Sequence, residues 1–418
     1  MNSKRKILVP IFNRAHYGRL RPVLKAIKNH PQLELNVIVA VPAAYGGFFN
    51  NLVHSRPRSW RAALPWYILA RARSFVGQDA VLRNDFLAKN LNDDGFKIDA
   101  YAPIFFDGGN STTMAKSAGW GVVKLVDILR KFKPDIVFVN ADRFEMMAVA
   151  IAASYLNIPV AHNEGGDVSG TIDESVRHAI TKLAHIHFTS TEASRRRVIQ
   201  MGERPENVFT VGSPAIDAVS TVNLGSSKEL FPDFSSKDFL LVLLHPVATV
   251  SGEKNIEMAQ NVISALREIK MPVVFLGSNI DAGSNVIGYT LREWLEKDRP
   301  NWVRFIKHLP PDDFYRALAR AVCAVGNSSS FIREGAYLGT PVVLVGSRQN
   351  NRERSGNVVE VDGGVNEINS AVRRQLAVGK YPASNLFGNG TAGEKIAEKL
   401  AGVSLNVQKI FHEIPVFY

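Results

Sequence analysis

Short apolar runs recur along the chain, and most are followed by a longer stretch in which apolar residues return every three or four positions. Short continuous runs are typical of strands buried on both faces of a sheet, and the longer period is typical of helices. The alternation of the two patterns therefore predicts parallel sheets covered by helices on both faces.

The runs fall into two series separated by the polar stretch Ser220–Lys237, which we interpret as an interdomain connection. The first series predicts the strands Lys6–Phe12, Leu35–Ala40, Ile136–Asn140, Pro159–His162, Ile186–Ser190 and Val208–Val211, and the helices Arg21–Lys28, Met114–Lys131, Arg143–Leu156, Glu174–His185 and Glu192–Met201. The second predicts the strands Phe239–Leu244, Val273–Leu276, Val303–Lys307, Cys323–Gly326, Val342–Val345 and Val358–Val361, and the helices Asn255–Ile269, Thr290–Lys297, Asp313–Arg320, Phe331–Leu338 and Glu367–Val378. Two doubly wound α/β halves that face each other would enclose a cleft.

Composition narrows the class of protein. With 418 residues, 46% of them apolar and 21% charged, the chain can bury a large core and is long for one domain. Its one cysteine, Cys323, excludes an internal disulfide framework and a cysteine-based zinc site, and it fits a reducing cytoplasm. The apolar run after Lys6 is too short for a signal peptide, and no run approaches the roughly 18 residues of a membrane span. We therefore expect a cytoplasmic protein without stable membrane insertion.

The net charge of +11 and the pI near 9.6 predict an anionic partner: a nucleic acid, a membrane surface or a phosphorylated small molecule. The segment Asn51–Asn90 concentrates this charge, with seven Lys or Arg residues against two acidic ones and with Trp60, Trp66 and Tyr67 among them. It could be a solvated helical face with a few core aromatics, a lid over an active site, or a surface for membrane or nucleic acid.

Carboxylates follow the ends of neighbouring predicted strands, at Asp142, Glu164, Asp167 and Asp173. Open α/β sheets bind their ligands at the carboxyl ends of the strands, so this cluster predicts acid–base chemistry on a polar substrate. Asp173 could instead be the N-cap of a helix that starts at Glu174.

A second group of residues predicts an anion site. The strand that ends in Gly326-Asn-Ser-Ser-Ser330 opens a helix, where free backbone N–H groups and hydroxyls converge, although ordinary helix capping would give the same pattern. Glu334 lies one turn further and could accept two ribose hydroxyls. Five arginines and one histidine lie near other predicted strand ends, namely Arg348, Arg352, Arg354, His245, Arg14 and Arg19. They could bind the phosphate, or they could be structural or solvated side chains.

Together these residues resemble the hydrolysing UDP-N-acetylglucosamine 2-epimerases, which are the bacterial sialic-acid pathway enzymes and the epimerase half of the bifunctional animal enzyme. The resemblance is carried, in order along the chain, by Ala141-Asp-Arg-Phe144, the run from Asn163 to His185, His245-Pro-Val247, Gly326-Asn-Ser-Ser-Ser330 and Gly346-Ser-Arg-Gln349. It implies a glycosyltransferase-B-like fold with two Rossmann-like domains. Residues 1–219, with a basic insertion near 45–110, would carry the carboxylates, residues 220–390 would bind UDP, and a helix in 391–418 would cross back to the first domain.

The resemblance also implies a reaction, the conversion of UDP-N-acetylglucosamine or a close relative to UDP and N-acetylmannosamine through a 2-acetamidoglucal, without metal or other cofactor. Asp142, Glu164 and Asp173 match the family's active-site carboxylates. Arg177, one helical turn after Asp173, could keep that carboxylate ionised, and His245 matches a histidine on the diphosphate side. The implied UDP pocket comprises Arg14, Arg19, Leu309, Asn327, Ser328, Ser329, Glu334 and Arg348.

The basic segment Asn51–Asn90 departs from the family, so a UDP-2,4-diacetamido-trideoxyhexose is an alternative substrate. A glycosyltransferase of the same fold that uses a UDP-sugar, and a catalytically silent nucleotide-sugar sensor, are the two other functions left open. The fold makes a homodimer or homotetramer the expected assembly, and we expect no nucleic-acid partner.

Overall fold

The computed structural model describes residues 4–43, 86–106, 110–226, 230–231, 238–247, 249–277, 284–307 and 309–414. Nearly all of the basic segment Asn51–Asn90 therefore lies outside the described residues. Its possible role as a lid or a binding surface stays a prediction.

Seven parallel strands form the first sheet of the described chain, in the order β3-β2-β1-β4-β5-β6-β7. They are β1 (Arg5–Ile11), β2 (Leu33–Pro42), β3 (Ala100–Phe105), β4 (Ile136–Asn140), β5 (Val160–Asn163), β6 (Ile186–Thr189) and β7 (Val208–Thr210). The helices around them are α1 (Arg14–Asn29), α2 (Phe86–Asp93), α3 (Ser111–Phe132), α4 (Phe144–Tyr155), α5 (Ile172–Leu183), α6 (Glu192–Gln200) and α7 (Pro214–Ser220).

The second sheet of the described chain has six parallel strands in the order β10-β9-β8-β11-β12-β13. They are β8 (Leu240–Leu243), β9 (Val273–Leu276), β10 (Val303–Ile306), β11 (Cys323–Gly326), β12 (Val342–Val345) and β13 (Val358–Val361). The helices are α8 (Gly252–Ile269), α9 (Ser284–Asp298), α10 (Pro311–Arg320), α11 (Ser329–Leu338), α12 (Val365–Val378) and α13 (Ala392–Gly402). The predicted fold class, two doubly wound parallel sheets, is confirmed.

Each sheet has a hydrophobic core on both faces, because alternate residues of a strand point to opposite sides. In β1, Ile7 and Val9 belong to one core, and Leu8 lies in the core on the other face. In β8, Leu240 and Leu241 are divided in the same way. Burial on both faces explains why these strands read as continuous apolar runs.

The last helix, α13, packs against the first half of the molecule, although it follows the second half in sequence. Ile396 and Leu400 lie in the same core as Ile7. The carboxylate of Asp217 accepts hydrogen bonds from the backbone N–H groups of Ala392, at 3.0 Å, and Gly393, at 2.7 Å, at the start of this helix. The domain boundaries 1–219, 220–390 and 391–418 stay a prediction.

Several helices begin earlier than predicted, and the largest differences are at α1 and at α9, which begins at Ser284 rather than Thr290. Helix α1 begins at Arg14 rather than Arg21, because Asn13 caps it by accepting a 2.9 Å hydrogen bond from the His16 backbone, and Pro22 lies inside the helix. Helix α5 begins at Ile172 with Thr171 as its N-cap, so Asp173 is not the capping residue. Strand β3 and helices α2 and α7 were not predicted from the sequence.

Candidate active site in the cleft between the two sheets

The strand order reverses once in each sheet, between β1 and β4 and between β8 and β11. In doubly wound sheets, the carboxyl ends of the strands at such a reversal form the crevice that binds ligands. Asp142 follows β4, His245 follows β8 and Asn327 follows β11, so the two reversals bring the predicted residues to the facing edges of the two halves.

Asp142 follows β4 and comes directly after Ala141, whose backbone φ of 61° is unusual for a residue with a side chain. Its carboxylate forms an ion pair with Arg177, a side chain that is 1% exposed. Arg177 also donates a 2.8 Å hydrogen bond to the Asp167 backbone carbonyl. The prediction that Arg177 serves Asp173 was therefore wrong: its ion pair is with Asp142, because the arginine points back along α5 to the end of β4.

Glu164 follows β5 in the same way, with a φ of 63° and a side chain that is 4% exposed. Its Oε1 atom accepts a 2.9 Å hydrogen bond from Ser213 Oγ and a 2.7 Å hydrogen bond from Arg333 Nη1. Burial raises the pKa of Glu164, but the charges of Arg333 and Arg19 outweigh burial and lower this pKa to about 2. Glu164 is therefore a carboxylate at neutral pH.

His162 connects the two strand ends that carry Asp142 and Glu164. It is fully buried in β5, and its Nε2 atom lies 2.8 Å from the carbonyl oxygen of Ala141. Its Nδ1 atom lies 3.1 Å from Thr181 Oγ1 of α5. Burial lowers the pKa of His162 to about 3, so the ring is neutral and acts as a brace rather than as an acid.

Asp173 lies in the first turn of α5 and is half-buried. Its Oδ2 atom accepts a 3.1 Å hydrogen bond from the Thr171 hydroxyl, and its backbone N–H donates to that same hydroxyl oxygen at 3.3 Å. The next residue, Glu174, accepts a 2.6 Å hydrogen bond from the Ser169 backbone. These contacts fix the loop before α5.

The residues of the predicted anion site lie together in the second half. Asn327 is buried and braces the ends of β8 and β11, because its side chain accepts from the His245 N–H at 2.7 Å and donates to the His245 carbonyl at 2.8 Å. Ser328 is the N-cap of α11, and Arg348 Nη1 donates to the Asn327 carbonyl at 3.3 Å. Hydroxyls, a helix N-terminus and a guanidinium therefore meet at one place, as an anion site requires.

Contacts across the cleft bring the two groups of residues together. Arg19 of α1 donates a 3.4 Å hydrogen bond to Ser329 Oγ, and Asp167 forms a 3.6 Å ion pair with Arg352. The Gly170 N–H donates to the Arg348 carbonyl at 3.1 Å. A Cβ atom on Gly170 would overlap the Ser347 carbonyl oxygen, so a glycine is needed where these loops meet.

Not every predicted site residue joins this network. Glu334 is buried beside it, with a carboxylate oxygen 3.8 Å from Arg333 Nε. Leu309 packs in the core near β10, and the described contacts do not link it or Asp173 to the ion pairs. Arg14 begins α1, but its side chain lies outside the described residues.

Sequence reasoning missed Arg333 and Ser213. The one local signal for Arg333 is a charged pair with Glu334 inside a helix whose other residues are small, apolar or aromatic. Within the described ranges, no group of three His, Cys, Asp or Glu side chains is arranged to hold a metal ion. Within the same ranges, no helix has the length and apolarity that a membrane crossing requires.

Comparison with known proteins gives concordant matches. The family pattern described as UDP-N-acetylglucosamine 2-epimerase matches residues 79–401. The UDP-N,N'-diacetylbacillosamine 2-epimerase (hydrolyzing) of Legionella pneumophila is 34% identical over 414 residues, which is 97% of either chain. The UDP-N-acetylglucosamine 2-epimerase of Neisseria meningitidis is 28% identical over 402 residues, or 94% of either chain. The crystal structure of Methanocaldococcus jannaschii UDP-GlcNAc 2-epimerase in complex with UDP-GlcNAc and UDP superposes with a TM-score of 0.73 at 19% identity, covering 94% of this chain and 99% of that one.

Proposed function

The chain belongs to the UDP-N-acetylglucosamine 2-epimerase family, and we propose that it is a hydrolysing enzyme that releases UDP and a 2-epimeric free sugar from a UDP-2-acetamido sugar. The observation that carries this proposal is the cleft itself. Asp142 and Glu164, each paired with a buried arginine, stand at adjacent strand ends opposite the N-terminus of α11. Proton transfer on one side and diphosphate binding on the other are what this reaction needs.

The reaction has two steps. In the elimination, a carboxylate takes the C2 proton, the C2–H electron pair forms a C1=C2 double bond, and the C1–O bond breaks so that UDP leaves with the bonding pair. In the hydration, the oxygen of a water molecule adds to C1 and a proton returns to C2 from the opposite face. One water molecule is consumed, and neither step requires an oxidant or a metal.

The diphosphate leaves with increased negative charge, which the second half is suited to stabilise. We assign this task to Ser328, Ser329 and Arg348 at the N-terminus of α11, with Arg19 reaching across from α1. Donors placed in advance around a leaving group stabilise the transition state more than the ground state. We assign the proton transfers to the carboxylates of the first half, Asp142, Glu164 and Asp173.

Two substrates are candidates, and the comparisons favour one. The relative with higher identity over nearly the whole chain is named for UDP-N,N'-diacetylbacillosamine, so a UDP-2,4-diacetamido sugar is our first candidate. UDP-N-acetylglucosamine is the second, because the Neisseria relative and the superposed crystal structure are named for it. Both have the 2-acetamido group and the C2 hydrogen on which the elimination acts.

A nucleotide-sugar substrate and a single free, buried cysteine fit a reducing cytoplasm, which we propose as the compartment. A homodimer or homotetramer stays our expectation for the assembly.

The experiment incubates the protein with each UDP-sugar in D2O and follows the products by proton NMR. We expect UDP and a free sugar that has inverted configuration and deuterium at C2, since the original proton leaves and solvent supplies another. A product with its original hydrogen at C2 would refute the elimination and favour a glycosyltransferase or simple hydrolase. Binding of UDP without turnover of either sugar would favour the sensor.

A further inference from the structure

Arg333 is a deeply buried charge in the cleft that the proposed mechanism does not use. Its side chain is 1% exposed, and its Nη1 atom donates to Glu164 Oε1 at 2.7 Å. Its Nε and Nη2 atoms have no hydrogen-bond partner among the described residues. A buried guanidinium with one strong acceptor depends on that acceptor for its compensation.

The pair joins the two halves of the molecule. Arg333 belongs to α11, whose N-terminus forms the anion site, and Glu164 ends β5 in the first sheet. Ser328, the N-cap of α11, and Arg333 are separated by little more than one helical turn. The helix that we assign to the leaving diphosphate therefore also places a cation on a carboxylate assigned to proton transfer.

The charges around Glu164 come from several elements. Arg333 acts on it from α11, Arg19 from α1, His162 from β5, Asp167 from the following loop, and Arg352 from the loop after β12. Glu334 of α11 lies beside Arg333. His162 is neutral, and Arg352 is paired with Asp167. Arg333 is the cation in direct hydrogen-bond contact with Glu164, so its removal should affect that carboxylate more than the loss of any other group.

We propose that Arg333 is a positioning residue: from the second half of the molecule it fixes Glu164 as an ionised carboxylate in one orientation, so that this proton-transfer group is assembled only when the two halves are closed. This inference rests on the proposed function. The second donor to Glu164, Ser213, lies in the first half, so the Arg333 bond is the one that depends on closure.

The structure offers a matched control for closure. Arg21 of α1 forms a 3.0 Å ion pair with Asp312 of α10, which also links the two halves. In the described part of the chain, neither side chain of this pair forms a hydrogen bond or an ion pair with a predicted site residue. Arg21→Gln therefore removes a cross-cleft ion pair without removing a charge next to Glu164. If Arg333 served only to hold the halves together, the two glutamine variants would change the enzyme in the same way.

The test compares wild type, Arg333→Gln, Arg333→Lys and Arg21→Gln. It measures kcat, KM and C2 deuterium between pH 4 and 9, UDP affinity by calorimetry, and folding by circular dichroism. In Arg333→Gln we expect kcat to fall at least about 100-fold, in the range of a lost positioned acid–base group, with UDP affinity within about threefold of wild type. Because the pKa of Glu164 is about 2, its acid limb lies below the measured range in wild type. In Arg333→Gln the limb should move up by about two to three pH units and appear in that range near about pH 4–5, as a carboxyl that loses a neighbouring cation requires.

Arg333→Lys should keep the acid limb near that of wild type, because the cation remains, while kcat falls at least about fivefold because an ammonium cannot reproduce the guanidinium geometry. Arg21→Gln should match wild type in both. If the glutamine variant does not fold, the lysine variant decides, and a wild-type kcat in it overturns the proposal. A glutamine variant with the wild-type pH profile and kcat also overturns the positioning role. The proposed function would still stand in that case if the wild-type product carries deuterium at C2. Absence of wild-type turnover instead overturns the proposed function, and the positioning role with it.

Discussion

Glu164→Gln separates chemistry from stability at the candidate site. The amide has the same shape as the carboxylate, and its oxygen can still accept from Ser213 at 2.9 Å and from Arg333 at 2.7 Å. The variant loses only the charge. Because the buried guanidinium of Arg333 would lose the carboxylate that compensates its charge, we expect the free energy of unfolding to fall by about 3–5 kcal/mol.

The effect on turnover is separate from the effect on stability. If Glu164 transfers a proton, kcat should fall by about 10² to 10⁴, which corresponds to about 3–5 kcal/mol of transition-state stabilisation. Lower stability reduces the measured turnover only through the unfolded fraction, so the two proteins are compared at a temperature at which both are folded. The kcat is measured from UDP release at saturating UDP-sugar, and stability from urea unfolding of the same preparations.

Glu203→Gln is the matched control. Glu203 is also a buried glutamate of the first half, and it accepts from Lys182 at 2.6 Å, from Lys409 at 2.8 Å and from His187 at 3.1 Å. Its amide variant should also be destabilised, because Lys182 and Lys409 lose the carboxylate charge with which they pair, yet its turnover should match wild type below the unfolding temperature. Equal losses of turnover in the two variants, or near-normal turnover in Glu164→Gln, would refute the assignment of Glu164 to proton transfer.

Three further predictions concern the rest of the molecule. Arg348→Ala should weaken UDP binding by about 1.5–3 kcal/mol, as for a lost charged hydrogen bond, and unchanged affinity by calorimetry would contradict it. Burial raises the pKa of Glu203, but its bonds to His187 and two lysines outweigh burial and lower this pKa from 4.5 to about 2. The contribution of Glu203 to the free energy of unfolding is therefore complete above about pH 4.5 and should be lost as the pH falls towards 2. Urea unfolding should not find this loss in Glu203→Gln. Asp173→Asn should lower kcat with little change in stability, because Thr171 caps α5; normal turnover would place Asp173 outside the chemistry.

The sequence was sufficient for most of the fold because the strands are buried on both faces. Strands β4, β9 and β11 have the predicted bounds, since an apolar run flanked by polar residues defines such a strand from local information alone. Strand β3 was missed because it lies at the sheet edge, contains Pro103 and is only half-buried, so its pattern resembles a loop. Helix α7 was missed because its Gly-Ser-Pro start reads as a turn.

The candidate site could be predicted only in part, for a different physical reason. Asp142 and Glu164 are recognisable because each follows a predicted strand, and the sheet brings strand ends together. Their arginine partners are not, because Arg177 is 35 residues from Asp142 and Arg333 is 169 residues from Glu164 in the chain. A partner chosen by proximity in sequence, such as Asp173 for Arg177, is therefore unreliable when the pairing depends on how the two halves meet.

The brace under the two carboxylates explains how residues with unfavourable backbone angles stay in place. The Ala141 carbonyl can only accept, so His162 Nε2 carries the proton; in a neutral ring Nδ1 then lacks one and accepts from the Thr181 hydroxyl. A backbone with positive φ persists at Ala141 and Glu164 only if its surroundings hold it there. The bond from His162 to Ala141, and the 2.8 Å bond from the Glu164 N–H to the Phe188 carbonyl, supply that restraint. The first sheet therefore fixes where each carboxylate begins, and the partner arginines fix where each carboxylate points.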